Sequence, residues 1–116
     1  MVRVKRIYEP PRNNDGWRVL VDRLWPRGVK KEKAHVDEWM KEIAPSNELR
    51  KWFGHKIERW TEFQERYRVE LAKNKELVAK LRAIEKTHGT ITLLFGARDE
   101  EHNQAVVLRG LLKANP

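Results

Sequence analysis

Residues 90–112 read TITLLFGARDEEHNQAVVLRGLL, and this stretch decides the fold. Ile91, Thr92, Leu93, Leu94 and Phe95 form a nearly unbroken apolar run. A run apolar on both faces predicts a central strand covered on both sides, the usual place of a parallel strand. A short polar loop follows, Gly96-Ala97-Arg98-Asp99. Beyond it, Ala105, Val107, Leu108, Leu111 and Leu112 recur at helical spacing, with Asp99 the expected N-cap. The loop therefore sits at the carboxyl end of a strand, where open α/β sheets bind ligands. That places the expected functional surface at Arg98, Asp99, His102 and Asn103.

Working outward, residues 2–8 predict a first strand and residues 17–24 a second. Pro10-Pro11 and the turn Asn13-Asn14-Asp15-Gly16 lie between them. That connection has no room for a helix, so the pair is expected to be a hairpin. Val19 and Val21 share one face of the second strand, and Leu20, Asp22 and Leu24 the other. Residues 36–43 predict a short helix, and Ser46 is the expected N-cap of the next, which Gly54 interrupts. Ile57, Trp60, Phe63, Tyr67 and Leu71 then line one helical face, which predicts a buried Trp60. The phase slips at Lys73-Asn74-Lys75, so two helices or a bend are expected, ending at Gly89. The helices form a crossover that makes the second and third strands parallel neighbours. The expected fold is one small layered α/β domain over residues 1–116, with about three strands and four or five helices.

The chain has 116 residues, a net charge of +8 and 36% charged residues. Length allows a single modest core. No apolar run approaches the roughly 18 residues of a membrane span, and the N-terminus lacks the apolar segment of a signal peptide. A cytoplasmic location is the default expectation. With no cysteine, thiol nucleophiles, disulfides and thiolate metal sites are excluded. The four histidines lack metal-ligand spacing, so no metal or other cofactor is expected. The basic charge permits nucleic-acid contact, but it is interspersed with acidic residues, as on a thermophile surface. Trp52, Trp60 and Trp39 are assigned to packing, which leaves Trp17 and Trp25 as possible surface stackers.

Two clusters carry candidate chemistry. In Asp22-Arg23-Leu24-Trp25-Pro26-Arg27-Gly28 the guanidinium groups could fork onto a phosphate or carboxylate. Equally, Asp22 could pair with Arg23, Arg27 or Arg98 and tie the strand ends together. In Arg98-Asp99-Glu100-Glu101-His102-Asn103 the histidine could serve as a base or hydrogen-bond donor. No phosphate-cradling glycine loop is present. The candidate ligand-binding set is Asp22, Arg23, Trp25, Arg27, Arg98, His102 and Asn103, facing a small anionic ligand. A nucleic-acid-binding or regulatory module using the basic surface is the alternative.

Leu20-Val21-Asp22-Arg23-Leu24-Trp25-Pro26-Arg27-Gly28 also resembles a family motif. So do Lys41-Glu42-Ile43-Ala44-Pro45-Ser46, Trp52-Phe53-Gly54-His55, Glu70-Leu71, and Thr92-Leu93-Leu94 with His102-Asn103. Over nearly its whole length the chain is similar to the domain of unknown function 488 family, in its short YeaO-like branch. The resemblance implies an α/β fold and no particular activity. A longer branch places cysteines where this chain has Phe95, Gly96 and Asn103, so a thiol mechanism does not carry over. A rhodanese-like arrangement is an analogy only.

Overall fold

In the computed structural model, which describes residues 1–114, a four-stranded sheet is flanked by five α-helices. The strands are β1 (Val2–Arg6), β2 (Trp17–Leu20), β3 (Glu38–Trp39) and β4 (Ile91–Phe95). The helices are α1 (Lys31–Ala34), α2 (Asn47–Phe53), α3 (Trp60–Ala72), α4 (Lys75–His88) and α5 (Gln104–Ala114). The spatial order is β1-β4-β2-β3, and every pair is parallel. The apolar run of β4 thus lies between two strands, with all five of its residues buried.

The alternation of the strands explains the layers. Val19, Val21, Ile91, Leu93 and Phe95 face one core, shared with Phe63, Tyr67 and Leu71 of α3, Leu81 of α4, and Val107, Leu108 and Leu112 of α5. Ile7, Leu20 and Leu94 face the other side, under Ala34 and the side chains of Trp25, Val29 and Trp39. No helix among the described residues is long and apolar enough to cross a membrane.

Several expectations hold. The parallel neighbours β2 and β4 pair in register from Trp17 with Ile91 to Leu20 with Leu94. Helix α3 ends at Ala72 and α4 starts at Lys75, where the apolar phase slips. Ser46 caps α2, its hydroxyl accepting from the Leu49 N–H, and Gly89 ends α4 with φ 80.

Others do not. The predicted hairpin does not form, because β4 inserts between β1 and β2. Residues 7–16 cross over it with only a 3₁₀ turn over Asn13–Asp15. Extended, they span roughly 30 Å, enough to return along a short strand and step across two strand spacings of about 4.8 Å. The turn closes at Gly16, where φ is 65 and an added Cβ would sit 2.1 Å from the Thr90 carbonyl oxygen. Strand β2 stops at Leu20 rather than at residue 24, and Leu24 is exposed. The helix expected over residues 36–43 is instead the short edge strand β3 and a 3₁₀ turn over Lys41–Ile43. Its apolar residues serve two faces: Trp39 packs on the second core and Met40 on the first. Ile57 is 60% exposed, and Trp60 is only half-buried against Phe53 and Phe63.

Candidate functional site

At the carboxyl ends of β2 and β4 lies a hollow of about 620 Å³. Parallel pairing brings these ends together, so the loops after Leu20 and Phe95 form its floor. Arg6 fastens the second loop, donating from Nε to the Ala97 carbonyl at 2.9 Å. Tyr8 fastens the first, its hydroxyl donating to the Arg27 carbonyl at 2.9 Å. Phe53, Phe63, Pro26 and Pro45 supply apolar walls.

Asp22 stands on the floor. Its Oδ2 accepts from the Gly96 N–H at 2.9 Å, and its Oδ1 accepts from the Gln104 amide. Its backbone carbonyl accepts from the Trp39 indole at 2.7 Å. Glycine at 96 permits the close approach, since a Cβ there would lie 2.9 Å from Oδ2. Burial pushes the Asp22 carboxyl up to about 6, although the Gly96 and Gln104 hydrogen bonds both favour the ionised form. The expected arginine partners are absent: Asp22 makes no ion pair among the described residues, and its partners are neutral.

The other six expected residues divide three ways. Arg23 lines the hollow, but its guanidinium is spent on the carbonyls of Pro45 at 3.1 Å and Ala44 at 3.0 Å. Asn103 is buried and also committed: Nδ2 donates to the Asp99 carbonyl and Oδ1 accepts from the Val106 N–H. It is therefore Asn103, not Asp99, that caps α5, because the chain makes an extra turn over residues 99–102 before the helix begins. Trp25, half-buried, donates to the Val29 carbonyl and meets Trp39 edge-on. Trp17 is stacked on His88 at 4.1 Å, so neither expected surface stacker is free. Arg27 and His102 line the hollow with chemistry to spare. Arg98 does not line it, and its side chain is exposed.

His102 is oriented from two sides. Its Nδ1 lies 2.8 Å from Asp99 Oδ2, and its ring meets Trp60 edge-on at 5.2 Å. The Glu101 N–H, and then His102 itself, hold the Asp99 carboxyl below the ordinary carboxylate range. With Nδ1 on Asp99, Nε2 is the nitrogen left for a ligand.

The sequence reading missed Arg50, Lys51, His55 and Gln104, which also line the hollow. Arg50 and Lys51 sit on the polar face of α2 and carry no mark that separates them from solvent-facing cations. Only the fold of α2 against the strand ends brings them in. In total Arg23, Arg27, Arg50 and Lys51 face a single carboxylate, Asp22. No group of three or more His, Asp or Glu residues is placed to hold a metal ion among the described residues.

A family model described as "Inactive DUF488-N3 subclade" matches residues 1–115. The chain is 43% identical over 113 residues to "Uncharacterized protein YeaO" of Escherichia coli (strain K12), covering 97% of each chain. It is likewise 43% identical over 111 residues to "Uncharacterized protein Rv3073c" of Mycobacterium tuberculosis (strain ATCC 25618 / H37Rv), covering 96% of this chain and 92% of the relative. No solved structure matches.

Proposed function

Because this chain belongs to the inactive DUF488-N3 subclade, we propose that it works as a binding protein and that the hollow at its strand ends takes a small anion. One observation carries this reading: four cations and one carboxylate line a space of about 620 Å³. That volume falls in the range of small-molecule sites, about 300–1,000 Å³. The cations also differ in how they are used. Arg18 and Arg23 spend their guanidiniums on backbone carbonyls, as structural arginines do. Arg27 and Lys51 have side chains with no hydrogen bond or ion pair among the described residues, and Arg50 has only a 3.4 Å contact with Asn47. Unspent cations beside apolar walls suit an anion with an organic body. His102 Nε2 adds a group that donates or accepts at the rim. The chain's only serine, Ser46, is occupied as a helix cap, and the subclade's description also favours retention of a ligand over its turnover.

A thermal-shift series with phosphates and carboxylates tests this. A ligand at a hundred times its Kd should stabilise by about 2.7 kcal/mol. Changing Arg50 and Lys51 together to Gln should remove that shift. It should leave ligand-free stability within about 0.5 kcal/mol, since both side chains are exposed. A panel in which no anion shifts the transition, or a double variant that responds like the parent, sinks the reading.

The net charge of +8 supports the nucleic-acid alternative, but the tryptophans it needs are packed. Only weak, salt-sensitive association is expected, with Kd on the order of 10⁻⁴–10⁻⁶ M at physiological salt. Sequence-selective nanomolar binding at that salt would reverse the ranking.

A further inference from the structure

We propose that Asp22 makes the hollow selective for a tetrahedral oxyanion that brings its own proton, hydrogenphosphate, over sulfate. This rests on the anion-binding reading above. A carboxylate on the floor of a cationic hollow needs a reason, because it repels the anion that the cations attract. Asp22 is not there as their counter-ion. It makes no ion pair among the described residues, and its two hydrogen bonds come from the Gly96 N–H and the Gln104 amide. A carboxylate offers about four acceptor positions; two are taken, and Asp22 lines the hollow.

A P–OH group can donate to such a position, and hydrogen bonds of this O–H···O⁻ type are among the stronger ones. Sulfate carries no proton at neutral pH and would set a bare oxygen against the carboxylate. The cations hold both anions, and Asp22 tells them apart.

The proton rule has a pH limit. Above about 6, Asp22 is an acceptor and selects the protonated anion. Below it the carboxyl carries its own proton and can donate to sulfate as well. The other charged or titratable side chains around the hollow are Tyr8 after β1, Arg23 and Arg27 on the same loop, Arg50, Lys51 and His55 on and after α2, and His102 before α5. Any positive charge that these hold or gain attracts both anions, so it does not create a preference for the protonated one.

Calorimetric titration of the full chain with sodium phosphate and with sodium sulfate, at equal ionic strength, decides the matter. At about pH 7.5 phosphate should bind on the order of 10-fold tighter or more, the worth of one hydrogen bond to a charged group. At about pH 5 that preference should vanish or reverse. Asp22→Asn should bring the two anions within about 2-fold at the higher pH. If that variant does not fold, the comparison of phosphate with sulfate at the higher pH on the unaltered chain still tests the rule. Equal binding of sulfate and phosphate at the higher pH overturns the proton rule and leaves the anion-binding reading standing. Failure of both anions, with phenyl phosphate also inert, overturns both. An undiminished preference in Asp22→Asn overturns the role of Asp22. Phenyl phosphate, largely an unprotonated dianion at the higher pH, should bind more weakly than inorganic phosphate there, and tighter binding overturns the proton rule.

Discussion

Asp22 shows how little of a residue's role its letter carries. Strand alternation puts it opposite Val19 and Val21, but β2 ends at Leu20, and Asp22 beyond it meets Gly96 after β4 and Gln104 at the start of α5. Its expected partners were arginines, because a part-buried charge needs compensation. Two neutral donors provide part of that, and burial raises the carboxyl to about 6. The sign follows. A folded-state value above the ordinary 3.9 or so means that the native state holds the proton more tightly. The stability this contributes is complete below about pH 4 and is lost as pH rises through about 6. Urea unfolding should therefore give a protein about 1–2 kcal/mol more stable at pH 5 than at pH 8 from this group. Asp22→Asn should flatten that interval. A parent protein whose stability rises between those two values would contradict the assignment.

At the level of elements, the start of α5 separates two roles that a linear reading merges. Asp99 was the expected cap, and it does accept from the Glu101 and His102 N–H groups. The helix itself begins at Gln104, capped by Asn103. Asp99 instead holds the turn that presents His102. Asn103→Ala should cost about 0.5–2 kcal/mol, the usual worth of a cap. Asp99→Ala should cost less and should act on ligand affinity through His102. Chemical denaturation of the two variants side by side checks this, and a larger loss at Asp99 would restore it as the cap. Helix α2 makes the complementary point. Its apolar face, Leu49 and Phe53, is readable from spacing, whereas Arg50 and Lys51 enter the hollow only because of where that helix docks.

For the molecule as a whole, the order β1-β4-β2-β3 sets what is rigid. Strand β4 is paired on both sides and buried throughout, while β3 has two residues and one neighbour. Amide exchange should be slowest over Ile91–Phe95 and faster by orders of magnitude at Glu38–Trp39, because core strands open only with global unfolding. Comparable protection in both would argue against this order. A second anchor lies on the side of the sheet that bears Leu20 and Leu94, where Lys5 and Arg18 converge on the buried Asp15. Burial opposes the Asp15 charge, but the Arg12 N–H, Lys5 and Arg18 outweigh it and hold the carboxyl below its ordinary value. Each of those side chains reads in sequence as a solvent-facing strand or turn residue.

By itself the sequence determined the local facts. The continuous apolar run at 91–95 required a strand covered on both faces, the 3.6-residue spacing set α3 and α4, and the phase slip at 73–75 divided them. It also determined that the loops after β2 and β4 meet, since parallel neighbours align their carboxyl ends. Only the tertiary structure decided which strand lies between the other two, which arginines are spent, and what Asp22 touches. These depend on contacts between Gly96, Gln104 and Asp22 across more than seventy residues of chain. Periodicity reports which way a side chain faces relative to its own element. It carries no information about which other element arrives on that face.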